Sequence, residues 1–233
     1  MKLQVKVLIV GGGVVGASIA YHLQKGGWKD IVLIERDELT SGSTWHAAGL
    51  LPLFNMSYAT SHIHDYSVKF YKKLEKELNT DIGFKVVGNL RMAQSQDRMD
   101  EFMLYSSTAD TVNIPYEWKN PKQIKDRWPL VYSEDLKGAI YHPTDGYINP
   151  ADLTQAIARS ARSNDVKIER KTQADSYYWD GKSWHVQCSK MTEKGGNLLV
   201  SQEKITYVAE HRLHHMFPKQ CLHLGFLTFA LTN

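Results

Sequence analysis

Gln4-Val5-Lys6-Val7-Leu8-Ile9-Val10-Gly11-Gly12-Gly13-Val14-Val15-Gly16 is the stretch on which the fold turns. Its first seven residues form a β-branched, apolar run expected of a buried parallel strand. The glycines that follow supply G-x-G-x-x-G at Gly11, Gly13 and Gly16. In that pattern Gly11 permits the tight turn, Gly13 offers no side chain to block a pyrophosphate, and Gly16 lets the next helix pack close to the strand. The spacing predicts that helix over Val14 to about Lys25, with Val15, Ile19 and Leu23 on one face. The amides of its first turn, those of Val14 and Val15 included, would hold the diphosphate. Gly26-Gly27 ends it, Ile31-Val32-Leu33-Ile34 reads as a second buried strand, and Glu35 closes that strand. An acidic side chain at that spacing accepts ribose hydroxyls. A free carboxylate repels the 2′-phosphate of NADP, which leaves FAD or NAD; Arg36 is expected to point to solvent.

An NAD domain continues from here through further strand–helix units. This chain instead enters Leu39-Thr40-Ser41-Gly42-Ser43-Thr44-Trp45-His46-Ala47-Ala48-Gly49, a small polar loop without apolar periodicity. Such a loop suits close backbone approach to a flat ligand. From Thr40 to Gly49 it resembles flavoenzymes of the D-amino-acid-oxidase superfamily, in the dimethylglycine and sarcosine dehydrogenase branch. The resemblance extends through Gly83-Phe84, Gly88-Asn89-Leu90-Arg91 and Asp145-Gly146-Tyr147-Ile148-Asn149-Pro150, over roughly residues 4–190. Asn149 departs from it, standing where that branch more often has Asp.

The resemblance implies an α/β fold: a Rossmann-like FAD-binding domain with a parallel sheet, plus part of an α+β substrate or cap region. It implies FAD bonded through His46 to the 8α-methyl of the isoalloxazine ring, with Trp45 packed beside that ring. Ser43, Thr44, Ala48, Gly49 and Leu50 would also belong to the cofactor site, and Ala174 would meet the adenine. A neutral imidazole nitrogen is a competent nucleophile near pH 7. The implied activity is oxidation of the N-methyl group of a small amine such as dimethylglycine or sarcosine. Electron-transfer flavoprotein or oxygen would be the acceptor, with tetrahydrofolate a partner only in longer relatives. The catalytic residues are unknown, since no residue reads as a general base and a neutral amine demands none. Aromatics such as Tyr58, Tyr66, Tyr116, Tyr141 and Tyr147 offer faces to a methylated amine, although core packing explains each of them as well.

Composition narrows the class further. A chain of 233 residues with 42% hydrophobic content can bury a core in one or two domains. No apolar run approaches a membrane span, and the first strand begins too early to leave a signal or transit segment. Cys188 and Cys221 fit neither a disulfide framework nor a zinc site, so a reducing cytoplasm is expected, or the mitochondrial matrix in a eukaryote. A net charge of +3 without a basic, aromatic-interleaved stripe argues against nucleic acid.

Between the motifs, residues 57–78, 97–105 and 122–127 read as helices, and Gly138–His142 as a strand. Phe84 to Ala93 alternates as a strand pair would, interrupted by Gly88. Pro150 opens a helix through Ala161, in keeping with proline at the first helical position, and Val166–Glu169 reads as a third parallel strand. His62 and His64 fall on different faces of their helix and read as surface residues. The expected domains are residues 1–50 with 151–208 for FAD, residues 51–150 as an inserted cap, and 209–233 as an atypical tail. That tail, from His211, has no acidic residue and four of the ten histidines. His211, His214 and His215 lack a nearby carboxylate and a helical face, so no metal site is expected. The family pattern is expected to stop near Tyr207, leaving an aberrant terminus. The competing expectations are an NAD-binding module and a non-catalytic remnant that binds FAD weakly or not at all.

Overall fold

The structure is a computed structural model that describes residues 2–194 and 197–209, with the side chains of residues 2 and 193–204 outside that description. In chain order its first elements are β1 (Lys2–Val5), β2 (Val7–Val10), α1 (Val14–Lys25), β3 (Ile31–Ile34), β4 (Leu50–Leu51) and α2 (Tyr58–Leu78). Next come β5 (Lys85–Val86), β6 (Asn89–Ala93), α3 (Gln96–Thr111), β7 (Glu117–Lys119), α4 (Pro121–Arg127), β8 (Gly138–His142) and β9 (Gly146–Tyr147). The last are α5 (Pro150–Arg162), β10 (Lys167–Glu169), β11 (Thr172–Trp179), β12 (Trp184–Lys194) and β13 (Asn197–Ala209). The chain divides into two compact units, one from Met1–Ala48 with Pro150–Asn233, the other Gly49–Asn149.

In the first unit the parallel sheet runs β10-β3-β2, with Val7 opposite Ile31 and Ile168 opposite Leu33. Ile31, Val32, Leu33 and Ile34 are all buried, which is why this strand reads as continuous rather than alternating. Helices α1 and α5 pack together. Both carry small, fully buried residues, Ala17 and Ala20 on one and Ala158 and Ala161 on the other, which permit close approach. A second sheet, β1-β13-β12-β11, adds an antiparallel meander to the parallel pair β1–β13. Val5, Val32, Val186, Cys188, Ile205 and Tyr207 form one apolar cluster there.

Residues 4–10 read as one strand in the sequence; the structure divides them at Lys6. The amides of Lys6 and Val7 both donate to Asp30 O (3.1 and 3.3 Å). That shared carbonyl turns the chain from β13, the partner of β1, to β3, the partner of β2.

In the second unit β6, β8 and β7 form an antiparallel sheet, and β4, β9 and β5 a smaller one. Leu53, Ala93, Phe102, Tyr105, Ala109 and Ile140 are the centre of its core. Helix α2 is capped by the Ser57 hydroxyl, which accepts from Thr60 N, and ends at Asn79 in a left-handed conformation. The reading of residues 84–93 as a strand pair needs correction. Strand β5 pairs with β9, and β6 with β8. The amides of Val87 and Gly88 both donate to Asp145 O (3.1 and 2.8 Å), pinning the connection and sending the two strands to different sheets. Helix α3 runs further than the Asp97–Tyr105 pattern indicates, because Ala109 stays on its buried face and the Ser-Ser-Thr stretch conceals the period.

Among the described residues no helix is long and apolar enough to cross a membrane, and no three His, Cys, Asp or Glu side chains are placed to hold a metal ion. His211, His214, His215 and the rest of the tail lie outside the described residues.

Candidate functional site

The site lies in the first unit, where β2 runs into α1. Gly11 N donates to Ile34 O (2.9 Å), the last sheet bond before the turn, and Gly11 adopts φ +110°, a conformation open to glycine. A Cβ on Gly16 would stand 2.0 Å from Gly11 O. Backbone, not side chain, fills that space, so only glycine lets α1 begin so near the strand. Gly13 is the N-cap and brings no side-chain cap, and no acidic residue occupies the first turn of α1. Val14 N instead donates to Thr44 Oγ1 (3.0 Å), from a loop far along the chain. The amides of Val15 and Gly16 are beyond the reach of any carbonyl in their own helix. Amides without a partner among the described residues, at a positive helix end and beside bare backbone, fit a diphosphate.

Glu35 stands at the end of β3. Its Oε2 accepts from Gly12 N (2.7 Å) and its Oε1 from Asp37 N (2.9 Å). Each oxygen keeps a lone pair, so a fixed carboxylate faces the glycine turn with capacity for ribose hydroxyls. Glu35 is itself laddered to the neighbouring strands, its N donating to Glu169 O (2.9 Å) and its O accepting from Thr172 N (2.8 Å). Lys171 Nζ lies 2.7 Å from Asp37 Oδ1, and that hydrogen bond holds the Asp37 carboxyl below its usual range. The residues thus fit a dinucleotide. Arg36 is exposed, as expected.

The loop after Glu35 folds on itself. Thr40 N donates to Gly12 O (3.1 Å), Trp45 N to Thr40 O (3.1 Å) and His46 N to Ser43 O (3.1 Å). Thr44 is buried, whereas Ser43, Trp45, His46 and Ala48 are exposed, Trp45 at 71%. His46 Nδ1 is 3.1 Å from Gly42 O. That carbonyl can only accept, so Nδ1 is the donor, and in the neutral ring the lone pair is on Nε2. Gly11, Gly13, Val14, Val15, Gly16, Glu35 and Thr44 are brought together. Gly49 and Leu50 belong to the second unit, where Gly49 O accepts from Ile148 N (2.8 Å) and Leu50 pairs with Tyr147. Ala174 sits in β11 opposite Cys188, packed against the apolar cluster of that sheet.

The sequence reading did not single out a buried polar group in the second unit. His142 and Asp145 are 0% and 1% exposed. Asp145 Oδ1 accepts from Leu53 N (3.0 Å), and Tyr105 Oη donates to Leu53 O (3.3 Å). Arg91 stacks over Phe54 (4.3 Å). Both His142 nitrogens, Asp145 Oδ2, Arg91 Nε and Thr144 Oγ1 lack a hydrogen-bond partner among the described residues. Burial pushes the Asp145 carboxyl up to about 6, against the Leu53 amide and Arg91, which both pull it down. Burial, aided by Arg91, pushes His142 down to about 4. The sequence signals were the motifs ending at Arg91 and beginning at Asp145, and Asp145-Gly146 is by itself an ordinary turn pair.

These shifts oppose each other. Between pH 4 and 6 the folded state holds the Asp145 proton more tightly than the unfolded chain, so this group lowers stability as pH rises. Over the same interval the unfolded chain protonates His142 more readily, so that group raises stability with pH. Relative to the parent, Asp145→Asn is expected to gain stability as pH rises from 4 to 6, approaching about 1.4 kcal/mol per pH unit, and His142→Asn to show the reverse slope. Denaturant titrations at stepped pH measure this; parallel profiles for all three proteins would exclude the account.

A parallel βαβ unit with a glycine turn, free helix amides and a carboxylate at the next strand end defines a Rossmann-like dinucleotide-binding protein. The chain belongs to the FAD dependent oxidoreductase (DAO) family, whose pattern matches residues 6–204. It is 42% identical over 162 residues to mitochondrial dimethylglycine dehydrogenase of Homo sapiens, covering 69% of this chain and 19% of that protein. To the mitochondrial pyruvate dehydrogenase phosphatase regulatory subunit of Mus musculus it is 40% identical over 172 residues, covering 74% and 20%. Among solved structures, glycine oxidase from Geobacillus kaustophilus superposes with a TM-score of 0.73 at 25% identity, covering 89% of this chain and 54% of that one. The chain spans about a fifth of the length of these curated relatives.

Proposed function

We propose that this chain forms the FAD-holding part of an oxidoreductase that removes a hydride equivalent from the N-methyl carbon of a small amine such as dimethylglycine or sarcosine, with the flavin bonded to His46. One observation carries the reading: an exposed imidazole, its Nδ1 turned to Gly42 O and its Nε2 outward, on a loop tied to the glycine turn. The 42% identity to a dimethylglycine dehydrogenase supports a methylated amine as the substrate class. FAD supplies the two-electron acceptor. Val15 and Gly16 amides would hold its diphosphate, Glu35 its ribose hydroxyls, and Gly11 and Gly13 leave the backbone bare for close approach. His46 would supply the imidazole nitrogen for the link to the 8α carbon, and Thr40 and Thr44 would hold its loop against the glycine turn. No side chain here needs to act as a base toward a neutral amine. Electron-transfer flavoprotein or oxygen is the proposed final acceptor.

A second reading has its own observation, the 40% identity to a phosphatase regulatory subunit: a nucleotide-binding fold kept for a non-catalytic role. A visible spectrum of the purified full chain, before and after acid precipitation, separates the possibilities. Yellow colour retained in the pellet, and bleached anaerobically in the native protein by dimethylglycine, is expected. Colour released to the supernatant overturns the bond to His46. A colourless protein, or flavin that no methylated amine bleaches, favours the second reading.

A further inference from the structure

We propose that Thr44 is a positioning residue: its hydroxyl sets where the His46 imidazole stands by fastening the loop to the first turn of α1. This rests on His46 being the attachment point. Thr44 is 8% exposed, although its neighbours Ser43, Trp45 and His46 all face solvent. A threonine turned inward from an exposed loop has a partner there, and Thr44 Oγ1 accepts from Val14 N (3.0 Å). Val14 N is the first of the helix amides that have no carbonyl of their own helix to reach, and Gly13 has no side chain to serve any of them. Oγ1 also lies 2.9 Å from where a Cβ on Gly13 would stand. The bare glycine is what admits the hydroxyl.

The loop has a second tie to the same turn, Thr40 N to Gly12 O (3.1 Å). Thr40 adopts φ +76°, a costly conformation for a β-branched residue. Between and beyond these ties the backbone closes short turns, His46 N on Ser43 O (3.1 Å) and Ala47 N on Thr44 O (3.2 Å). His46 therefore follows any displacement of Thr44. The helix end that would receive the diphosphate thereby also fixes the imidazole, so the phosphate end and the ring end of one ligand share a single register. Thr44 would act through His46, without touching the reacting atoms.

The experiment incubates full-chain apoprotein with FAD and follows acid-stable flavin over time for the parent, Thr44→Val and Thr44→Ser. Dissociable FAD binding is measured in parallel by fluorescence in His46→Ala and in His46→Ala with Thr44→Val. Thr44→Val keeps the shape and removes the acceptor. It should slow attachment about tenfold or more, and Thr44→Ser should restore most of the parent rate. In the His46→Ala background Thr44→Val should lose FAD affinity by a clearly smaller factor than it loses attachment rate, and binding there also shows that the variant folds. Attachment by Thr44→Val at the parent rate overturns the proposal, as does an affinity loss as large as the rate loss. Failure of Thr44→Ser to restore attachment overturns it too. A parent that forms no acid-stable flavin overturns the His46 reading and this proposal together, and is thus distinct from failure of Thr44 alone.

Discussion

His46→Ala is expected to abolish acid-stable flavin completely while leaving dissociable FAD bound. The substitution removes the only side chain on the loop with an uncommitted nitrogen lone pair, and Nδ1 is already engaged with Gly42 O. It leaves the backbone ties of residues 40–47 intact, since these use main-chain groups and the Thr44 hydroxyl. The residue is exposed, so folding stability should change by no more than about 0.5 kcal/mol. Acid precipitation should therefore release all colour to the supernatant, and the melting temperature should stay near that of the parent. A pellet that remains yellow would place the bond on another residue.

Gly16→Ala is expected to cost both the fold of the glycine turn and the nucleotide. A new Cβ would lie 2.0 Å from Gly11 O, 3.1 Å from Gly11 C and 3.4 Å from Ile9 Cγ2. The oxygen cannot swing aside, because Gly11 N is held by Ile34 O and the turn depends on φ +110° at that residue. Either α1 retreats from β2 or the turn deforms, at about 3 kcal/mol or more. Both outcomes displace the Val15 and Gly16 amides, so FAD retention should fall with stability. Gly42→Ala is the matched control, because nothing lies within 4 Å of its added Cβ. Equal melting temperatures for Gly16→Ala and Gly42→Ala would contradict the geometry.

Local signals in the chain were strongest where one physical requirement acts alone. Val14–Lys25 and Ile31–Ile34 match their sequence patterns to the residue, since glycines bound one and continuous burial marks the other. Gly138–His142 is equally clear, buried at every position. Partner choice was not legible. Nothing in Val5-Lys6-Val7 shows that a shared Asp30 carbonyl divides the strand, and nothing in residues 84–93 shows that Asp145 O separates β5 from β6. At the site, Gly11, Gly13, Gly16 and Glu35 stand out by spacing because backbone approach dictates it. The bond from Val14 N to Thr44 Oγ1 does not, as a contact across 30 residues leaves no periodicity. The buried pair His142 and Asp145 was hidden for a similar reason: a turn motif looks the same whether its aspartate faces water or a core.

Strand β4, at the start of the second unit, lies hydrogen-bonded beside β9, near its end, with Leu50 opposite Tyr147 and Ile148 N on Gly49 O. The first and last residues of this hundred-residue unit therefore stand side by side. Natural selection, or a protein engineer, can exchange what lies between them as a cassette closed by one pair of strands.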